Sequence, residues 1–256
     1  MGEAIIGALL KGGFAEAGQV IVSDVAAARR DHLSGTYGVA VTDDNAVAIK
    51  DAELIVLAVK PQEFANIAEG LKGRLAGGQT VLSIMAGVPL AKIIDGLAHK
   101  AVVRVMPNTA ASVGEAISFW IASEAVSEET RAAVSRMLQT LGREVQVTDE
   151  KYMDMATAVS GSGPGFIFLV LEALIDGAVH IGLRRDQAEQ LATQTLFGSA
   201  VLARELGKHP AELRNMVTSP GGTTAAGLQV LEDAGIRGAI IDAVEAAFER
   251  AKELSE

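Results

Sequence analysis

Hydroxyl groups, glycines and a proline are concentrated in residues 217–224, which read VTSPGGTT. Pro220 fixes its own φ, and the two glycines after it accept backbone conformations that other residues avoid. These residue types at this spacing predict a tight turn over residues 219–222. Such a turn presents backbone amides and hydroxyl groups to whatever lies beside it.

An amphipathic segment follows the turn, and a helix is predicted to begin at Thr223 and Thr224. The first turn of a helix has free N–H groups and a partial positive charge. A small carboxylate can therefore bind at Gly222, Thr223 and Thr224 while a threonine hydroxyl points at the reacting atom. The alternative is a capped turn between two helices, which carries no chemistry.

The composition narrows the remaining chemistry. The chain has 256 residues, of which 49% are hydrophobic and 21% charged, with no cysteine and a net charge of -10. The acidic balance argues against a nucleic-acid partner. The absence of cysteine excludes disulfides and thiolate chemistry, and the four scattered histidines lack metal-ligand spacing, so no metal site is predicted. Catalysis must then use hydroxyls, carboxylates, lysine or a bound cofactor.

No targeting or membrane segment is predicted. Glu3 lies where a signal peptide would be basic. The apolar stretch 166–181 contains Glu172, Asp176 and His180, and we predict that it is too short and too polar to span a bilayer. These three residues share one helix face, which we interpret as a polar stripe toward solvent or a partner helix. The sequence thus predicts a soluble, cytoplasmic protein without a membrane partner.

The pattern of the chain changes near residue 149. Residues 1–148 alternate short β-branched segments with helical periods, which predicts an α/β, Rossmann-like, doubly wound domain with a parallel sheet. Residues 149–256 have long helical periods and predict an all-helical domain. Strands are predicted at 20–23, 39–42, 54–59, 80–85, 102–106, 117–122 and 144–147. Helices are predicted at 2–11, 26–34, 45–50, 62–71, 90–97, 127–141, 149–159, 164–182, 185–207, 210–217, 223–234 and 237–254.

The first domain lacks the strand and glycine-rich loop with which a nucleotide-binding domain begins. A doubly wound nucleotide domain begins with a strand, a glycine-rich loop and a helix, and the loop amides bind the pyrophosphate. This sequence opens in the helix, so Gly2 corresponds to the last glycine of a G-x-G-x-x-G whose earlier members would lie upstream of Met1. We therefore expect weak dinucleotide binding by this chain and two exposed strand edges in the sheet. The alternative is a helix-first domain that binds no dinucleotide.

Six segments together resemble one known family. In order, they read MGEAI, AVKPQ, AGV, MPNT, SGSGP and the stretch from the turn onward, at residues 1–5, 58–62, 86–88, 106–109, 160–164 and 217–231. In this order and spacing the chain resembles the Δ1-pyrroline-5-carboxylate reductases of proline biosynthesis. Ala110 departs from the proline common at that position.

The resemblance implies a fold and an activity. The N-terminal domain would bind NADPH or NADH, and the helical domain would form a homodimer and build the active site in the cleft between domains. Dimers of the family can assemble into larger rings, commonly decamers. The substrate would be the cyclic imine pyrroline-5-carboxylate, reduced to L-proline by hydride from the coenzyme, which carries the difficult chemistry.

The resemblance also assigns residues. Thr224 matches the threonine near the imine nitrogen, where a donor favours hydride addition because negative charge would otherwise accumulate there. The substrate carboxylate would be held by Ser219, Gly221, Gly222 and Thr223, with Ser160 also lining the substrate site. The coenzyme would be bound by residues at the start of the first helix and at strand ends: Gly2, Ser23, Asp24, Asn45, Ala58, Val59, Lys60, Pro61, Ala86, Gly87 and Asn108. Asn45 is also a plausible helix N-cap.

The sequence gives conflicting signals on the choice of coenzyme. Asp24 follows the second strand of the nucleotide fold, where an acid usually binds the ribose hydroxyls and repels a 2′-phosphate. Arg29 or Arg30, about one helical turn later, could accept that phosphate. NADPH is the usual donor in the family, whereas Asp24 favours NADH.

Two other functions stay open from the sequence. A related hydroxyacid dehydrogenase usually needs a lysine early in the helical domain, and Lys151 is the candidate, although it precedes the glycine-rich kink. The second alternative is a non-catalytic, regulatory dinucleotide-binding protein, because the phosphate loop is absent from the sequence. In that case Thr224 would be a helix cap.

Overall fold

The computed structural model describes residues 1–255, which divide by their contacts into two compact units. The first contains residues 1–161 and the last turns of the C-terminal helix from Ala247 onward, and the second contains Ser162–Ala246. The predicted change of pattern near residue 149 precedes this division by several residues. The difference arises because the first helix of the predicted helical domain packs with the sheet-containing unit.

The first unit alternates helices and strands. Its strands are β1 (Ile21–Ser23), β2 (Ala40–Thr42), β3 (Leu54–Leu57), β4 (Thr80–Ser83), β5 (Val102–Met106), β6 (Ala116–Ala122) and β7 (Gly142–Gln146). Its helices are α1 (Gly2–Lys11), α2 (Ala27–Tyr37), α3 (Asn45–Ile49), α4 (Phe64–Leu71), α5 (Leu90–Leu97), α6 (Glu128–Gln139) and α7 (Lys151–Ala156). Short 3₁₀ turns cover Ala17–Gln19, Pro61–Glu63 and Thr109–Val113. Every predicted strand and helix exists, with ends that differ by a few residues.

The strands form two separate sheets. β1 pairs with β2 in parallel, and the larger sheet has the order β3-β4-β5-β6-β7. The expected break in the sheet is confirmed, because no hydrogen bonds join β1–β2 to β3–β7 within residues 1–255. The predicted parallel sheet is confirmed at four pairs of strands, and at the fifth pair β5 and β6 run antiparallel.

Alternation along the strands sends side chains to helices on both faces of the larger sheet. Leu82 and Val103 pack with α1 and α6, in a cluster that also contains the fully buried Trp120. Their neighbours Val81 and Val102 face the opposite side and pack with α4 and α5. Helices on both faces are the mark of a doubly wound domain.

A buried charge network ties the end of the chain to this unit. Arg104 of β5 is 3% exposed and pairs with Glu150 at 2.8 Å and Asp154 at 3.3 Å. Glu150 also accepts a hydrogen bond from the backbone N–H of Leu90 at the start of α5. The Ser255 hydroxyl donates to Asp154 at 2.9 Å. Since each charge has partners, the buried arginine is compensated, and three separate elements meet at it.

The second unit is helical. It contains α8 (Gly163–His180), α9 (Arg185–Leu206), α10 (Pro210–Met216), α11 (Thr223–Asp233) and most of α12 (Ile236–Ser255). α8 packs against α9. Neither α8 nor α11 has a buried residue, and large apolar side chains such as Phe168, Leu169 and Phe197 are exposed. A unit that leaves this much apolar surface uncovered is suited to association with a partner.

A continuous helical segment runs over Lys151–His180, through α7, a π-helical turn at Thr157–Gly161 and α8. By length and composition alone, these 30 residues are sufficient to cross a membrane. The prediction that the apolar stretch is too short was therefore wrong, because the helix does not stop at the glycine-rich kink. Glu172 and Asp176 are exposed on it, as predicted for a polar stripe, and Asp176 pairs with Arg185 at 2.9 Å.

Candidate active site

The predicted turn at residues 219–222 is present. The N–H of Gly222 donates to the carbonyl of Ser219 at 3.0 Å, and Gly221 has a φ of 71°. With Pro220 second and Gly221 third, this matches a type II turn, whose third residue requires a positive φ. The backbone of Gly222 also passes so close to the Ser219 hydroxyl that a side chain there would overlap it.

The turn leads directly into α11, and the N-cap of this helix tests the interpretation of Thr224 as a helix cap. The N-cap is Gly222, which has no side chain to bond the first N–H groups of the helix. Thr223 and Thr224 are the first two helical residues, and within residues 1–255 their hydroxyls have no hydrogen-bond partner. The alternative that Thr224 is a helix cap was therefore wrong. Thr224 is half-buried, and its hydroxyl remains available to a ligand.

The glycine-rich kink is a π-helical turn, a feature often found at functional sites. The Ser160 hydroxyl donates to the carbonyl of Ala156 at 2.8 Å, which leaves its lone pairs able to accept. Gly161 permits a close approach, because a Cβ there would lie 2.7 Å from the terminal carbon of Met106. Gly161 thus lies against the end of β5, within the first unit.

Residues predicted to bind the coenzyme follow three neighbouring parallel strands. Ala58 follows β3, Ala86 lies beyond the end of β4 and Asn108 lies just after β5. The carboxyl ends of parallel strands meet at one edge of a sheet, which is where ligands bind in open α/β sheets. The structure therefore brings these three positions to one edge. Val59, Lys60 and Pro61 continue from Ala58, and Lys60 is the exposed N-cap of the 3₁₀ turn that Pro61 begins.

Asn108 has a buried side-chain oxygen that finds no hydrogen-bond partner among residues 1–255. Leaving such an acceptor unpaired costs about 1–3 kcal/mol. A polar ligand at this strand edge, such as a carboxamide, would supply the missing donor. The orphaned oxygen is consistent with a nicotinamide group at this place.

Gly2 begins α1 and packs on the same edge. A Cβ at Gly2 would lie 3.2 Å from the Cβ of Ala58, which is tighter than ordinary packing. Close packing of helix on strand is the role of the third glycine in the dinucleotide-binding loop. Met1, the N-cap of α1, makes no side-chain hydrogen bond to the helix start within the described residues.

Ser23 and Asp24 lie at the carboxyl end of β1, in the smaller sheet. The N–H of Asp24 donates to the Thr42 carbonyl at 3.2 Å, and its carboxylate accepts from the N–H of Ala26 at 2.9 Å. Asn45 follows β2 as the exposed first residue of α3. The interpretation of Asn45 as an N-cap was wrong, because Asp44 caps α3 by accepting from Ala46 at 2.8 Å.

Sequence reasoning missed a cluster around Glu3. The carboxylate of Glu3 binds Arg29 at 2.5 Å, His32 at 2.8 Å and the hydroxyl of Tyr37 at 3.2 Å. Hydrogen bonds from His32 and Arg29 lower the pKa of Glu3 from 4.5 to about 2. Burial, with the nearby Glu3 charge, raises the pKa of Tyr37. The sequence signal that could have indicated this cluster is an acid in the first turn of α1 together with basic residues on α2.

Lys151, the residue that a hydroxyacid dehydrogenase would require, is exposed. Its ammonium group pairs with Asp149 at 2.8 Å and lies 5.2 Å from the centre of the Tyr152 ring. Hydrogen bonding to Asp149 raises its pKa. These contacts hold Lys151 as a solvated surface charge.

Together, a doubly wound domain, polar residues at its strand ends and a helical domain with an uncapped hydroxyl-bearing turn define a two-domain reductase of the nicotinamide class. Residues 150–254 match the family described as pyrroline-5-carboxylate reductase dimerisation. Residues 1–87 match a second family, described as NADP oxidoreductase, coenzyme F420-dependent. The chain is 44% identical to pyrroline-5-carboxylate reductase of Methanosarcina acetivorans, covering 99% of this chain and 94% of that protein. The chain therefore belongs to the pyrroline-5-carboxylate reductase family.

Other relatives and solved structures agree. A pyrroline-5-carboxylate reductase of Pisum sativum is 37% identical over 100% of this chain and 93% of its own length. The structure of one from Coxiella burnetii superposes with a TM-score of 0.92 at 35% identity, covering 100% of this chain and 95% of that one. The structure of the Plasmodium falciparum pyrroline carboxylate reductase, solved with NADP bound, superposes with a TM-score of 0.91 at 28% identity. The match covers 100% of this chain and 95% of that one.

Proposed function

We propose that this protein reduces 1-pyrroline-5-carboxylate to L-proline with NADPH or NADH as the hydride donor. The observation that carries this proposal is the turn at residues 219–222. It leads into a helix start with no side-chain cap and a Thr224 hydroxyl that has no hydrogen-bond partner in the described part of the chain. A loop of this kind suits a small anionic substrate with one polar reacting atom. Membership of the reductase family supports the same substrate.

The turn and helix start are proposed to bind the substrate carboxylate. N–H groups at the start of α11 and the Ser219 and Thr223 hydroxyls can donate to its two oxygens, and the glycines keep the backbone accessible. Gly221 holds the turn in the required shape because it adopts a positive φ. Ser160 is proposed to contribute a further polar contact to the substrate. These groups fix the orientation of the imine.

Thr224 is proposed to donate to the imine nitrogen. Hydride addition to the C=N carbon leaves an electron pair on that nitrogen, which must gain a proton. A hydroxyl is a weak acid, so Thr224 would pass on a proton taken from water while it stabilises the developing charge. The coenzyme, when bound, supplies the hydride.

The coenzyme is proposed to bind along the strand edge described above. Gly2 and the uncapped start of α1 would approach its phosphates, Ser23, Asp24 and Asn45 its adenosine ribose, and the remaining strand-end residues the nicotinamide half. The fit rests on the close packing at Gly2 and the orphaned oxygen of Asn108. The strand-end residues proposed for the nicotinamide half are Ala58, Val59, Lys60, Pro61, Ala86, Gly87 and Asn108.

The two halves of the chain are proposed to divide these roles. Residues 1–148 would bind the dinucleotide, and residues 149–256 would bind substrate and form a homodimer that can assemble further to a decamer. The exposed apolar side chains of α8 and α9 support self-association over a membrane role, because exposed charges such as Glu172 and Asp176 interrupt the apolar stretch. We propose a cytoplasmic protein with no nucleic-acid partner, consistent with its net charge of -10.

The deciding experiment is oxidation of NADPH and NADH by the purified protein with pyrroline-5-carboxylate, for the wild type and for Thr224→Ala and Thr224→Ser. We expect Thr224→Ala to lower kcat by about 10²–10³, the usual effect of losing a transition-state donor. Thr224→Ser keeps a hydroxyl and should recover most of the rate.

The matched control is Thr218→Ala in the same segment. The Thr218 hydroxyl donates to the Arg214 carbonyl at 2.6 Å, so its removal should lower stability by about 0.5–1.5 kcal/mol and leave kcat nearly unchanged. A wild type that turns over neither coenzyme would overturn the proposed activity. Full activity in Thr224→Ala would overturn the role of Thr224.

A further inference from the structure

Two arginines lie near the end of β1, where the adenosine ribose is proposed to bind. Arg30 is committed to the backbone, since its guanidinium donates to the carbonyls of Asp24 at 2.7 Å and Val25 at 3.2 Å. It also lies 3.8 Å from the carboxylate of Asp43. Arg30 therefore closes the loop after β1 and has few donors left for a ligand.

Arg29 is the better candidate to meet a ligand phosphate, but Glu3 holds it. Its guanidinium lies 2.5 Å from the Glu3 carboxylate, with the Arg29 side chain 42% and Glu3 29% exposed. The same carboxylate binds His32, a further basic side chain of α2. A single acid on α1 thus restrains the guanidinium of Arg29 and the imidazole of His32 on α2 at once.

The charges at this end of β1 are mostly negative. Asp24, Asp43 and Glu3 carry negative charge, and Arg29 and Arg30 only partly offset them. A phosphate monoester carries a charge of about -1.5 to -2 at pH 7. To bind a 2′-phosphate here, Arg29 would have to exchange Glu3 for the phosphate, whereas a plain ribose requires no exchange.

We propose that Glu3 is a specificity-determining residue that lowers the protein's preference for a 2′-phosphorylated coenzyme by holding Arg29. This inference rests on the proposed function, since it concerns the same coenzyme site. It differs from a purely structural role, in which Glu3 would only join α1 to α2. A structural role would change the stability or the use of both coenzymes equally, whereas the proposed role changes their ratio.

The test is the ratio of kcat/KM for NADPH to that for NADH in wild type and Glu3→Gln. Release of Arg29 to the 2′-phosphate should raise the ratio about tenfold or more, which is the effect expected of one charge-assisted hydrogen bond. In the double variant with Arg29→Gln, the gain should disappear. Glu129→Gln on α6, far along the chain and also an acid in a first helical turn, should leave the ratio unchanged.

Arg29→Gln alone gives a second measurement that does not depend on the folding of Glu3→Gln. Because Glu3 already binds Arg29 in the wild type, this substitution should change the NADPH-to-NADH ratio of kcat/KM by less than about twofold. Loss of a charge-assisted hydrogen bond to the phosphate would change it more. A tenfold fall would show that Arg29 binds the 2′-phosphate in the wild type and would overturn the proposal. An unchanged ratio in a folded Glu3→Gln would overturn it as well.

A direct titration separates this proposal from the proposed function. Calorimetry with adenosine 2′,5′-bisphosphate and with 5′-AMP reads the phosphate preference without substrate or turnover. If pyrroline-5-carboxylate is not reduced but Glu3→Gln still strengthens binding of the bisphosphate relative to 5′-AMP, only the proposed reaction fails. If the reaction proceeds and the relative affinities do not change, only the role of Glu3 fails.

Discussion

Gly87, which follows β4, occupies a position in the structure that only glycine can fill. It is buried with a φ of 69°, and a Cβ there would lie 2.7 Å from the carbonyl oxygen of Leu254 near the end of α12. Both the backbone conformation and the contact therefore exclude a side chain. The resemblance assigned Gly87 to the coenzyme, and the structure adds this contact within the first unit.

Gly87→Ala is expected to destabilise the protein and to disturb the end of α12. The left-handed conformation costs about 1–2 kcal/mol for a residue with a Cβ, and displacement of Leu254 adds to this. Urea unfolding of the wild type and the variant measures the loss. Gly77→Ala is a suitable control, because a Cβ at Gly77 would meet nothing within 4 Å. Equal stability of Gly87→Ala and wild type would contradict this contact.

Local chemistry predicted some residues correctly and missed others. The turn at residues 219–222 followed from Pro220 and Gly221 alone, since the conformation depends on residues adjacent in sequence. The cluster around Glu3 depends on contacts across 26, 29 and 34 residues, which no local pattern specifies. Asn45 was mistaken for a cap because Asp44, its neighbour, is equally suited to that position.

At the scale of elements, hydrophobic patterns predicted which segments are strands but not all of their directions. Alternation is the same in parallel and antiparallel strands, so β6 was placed with the parallel strands. A signal was present in the connection: nine residues, 107–115, separate β5 from β6. A parallel pair needs a crossover of a dozen or more residues. The short connection therefore favours the antiparallel pair that the structure contains.

The link between α1 and α2 should depend on pH through Glu3. Its pKa is lowered from 4.5 to about 2 in the folded protein, chiefly by hydrogen bonds from His32 and Arg29. A depressed pKa means that the contribution to stability is fully present above about pH 4.5 and is lost as the pH falls toward 2. We expect Glu3→Gln to be less stable than wild type at pH 7.

Unfolding by urea at pH 7, 5, 4 and 3 measures this contribution. The difference in the free energy of unfolding between wild type and Glu3→Gln should shrink steadily below pH 4.5, because protonation removes the same charge as the substitution. A difference that stays constant down to pH 3 would show that the contacts of Glu3 do not depend on its charge.

At the scale of the whole molecule, the second unit is expected to be stable only in association. Phe168 of α8 and Phe197 of α9 are 63% and 58% exposed. Phe168→Glu and Phe197→Glu should weaken self-association, because each places a charge in an apolar contact. Sedimentation equilibrium measures the dissociation constant.

Val113→Glu provides the comparison, since Val113 is 73% exposed but lies in the first unit. It should leave the oligomeric state unchanged. A wild type that is monomeric at micromolar concentration, or dimers that tolerate both phenylalanine substitutions, would refute the role assigned to α8 and α9.

The bond between Ser255 and Asp154 has a consequence for the order of folding. It joins residues 101 positions apart, and the second unit lies entirely between its two ends. During synthesis the segments before Ser255 emerge first, so the charge network around Arg104 lacks this partner until residue 255 has left the ribosome. The first unit should therefore reach its final stability only after residues 247–255 have been synthesised. A nascent chain paused within residues 162–246 should be more sensitive to protease in its first unit than the released protein.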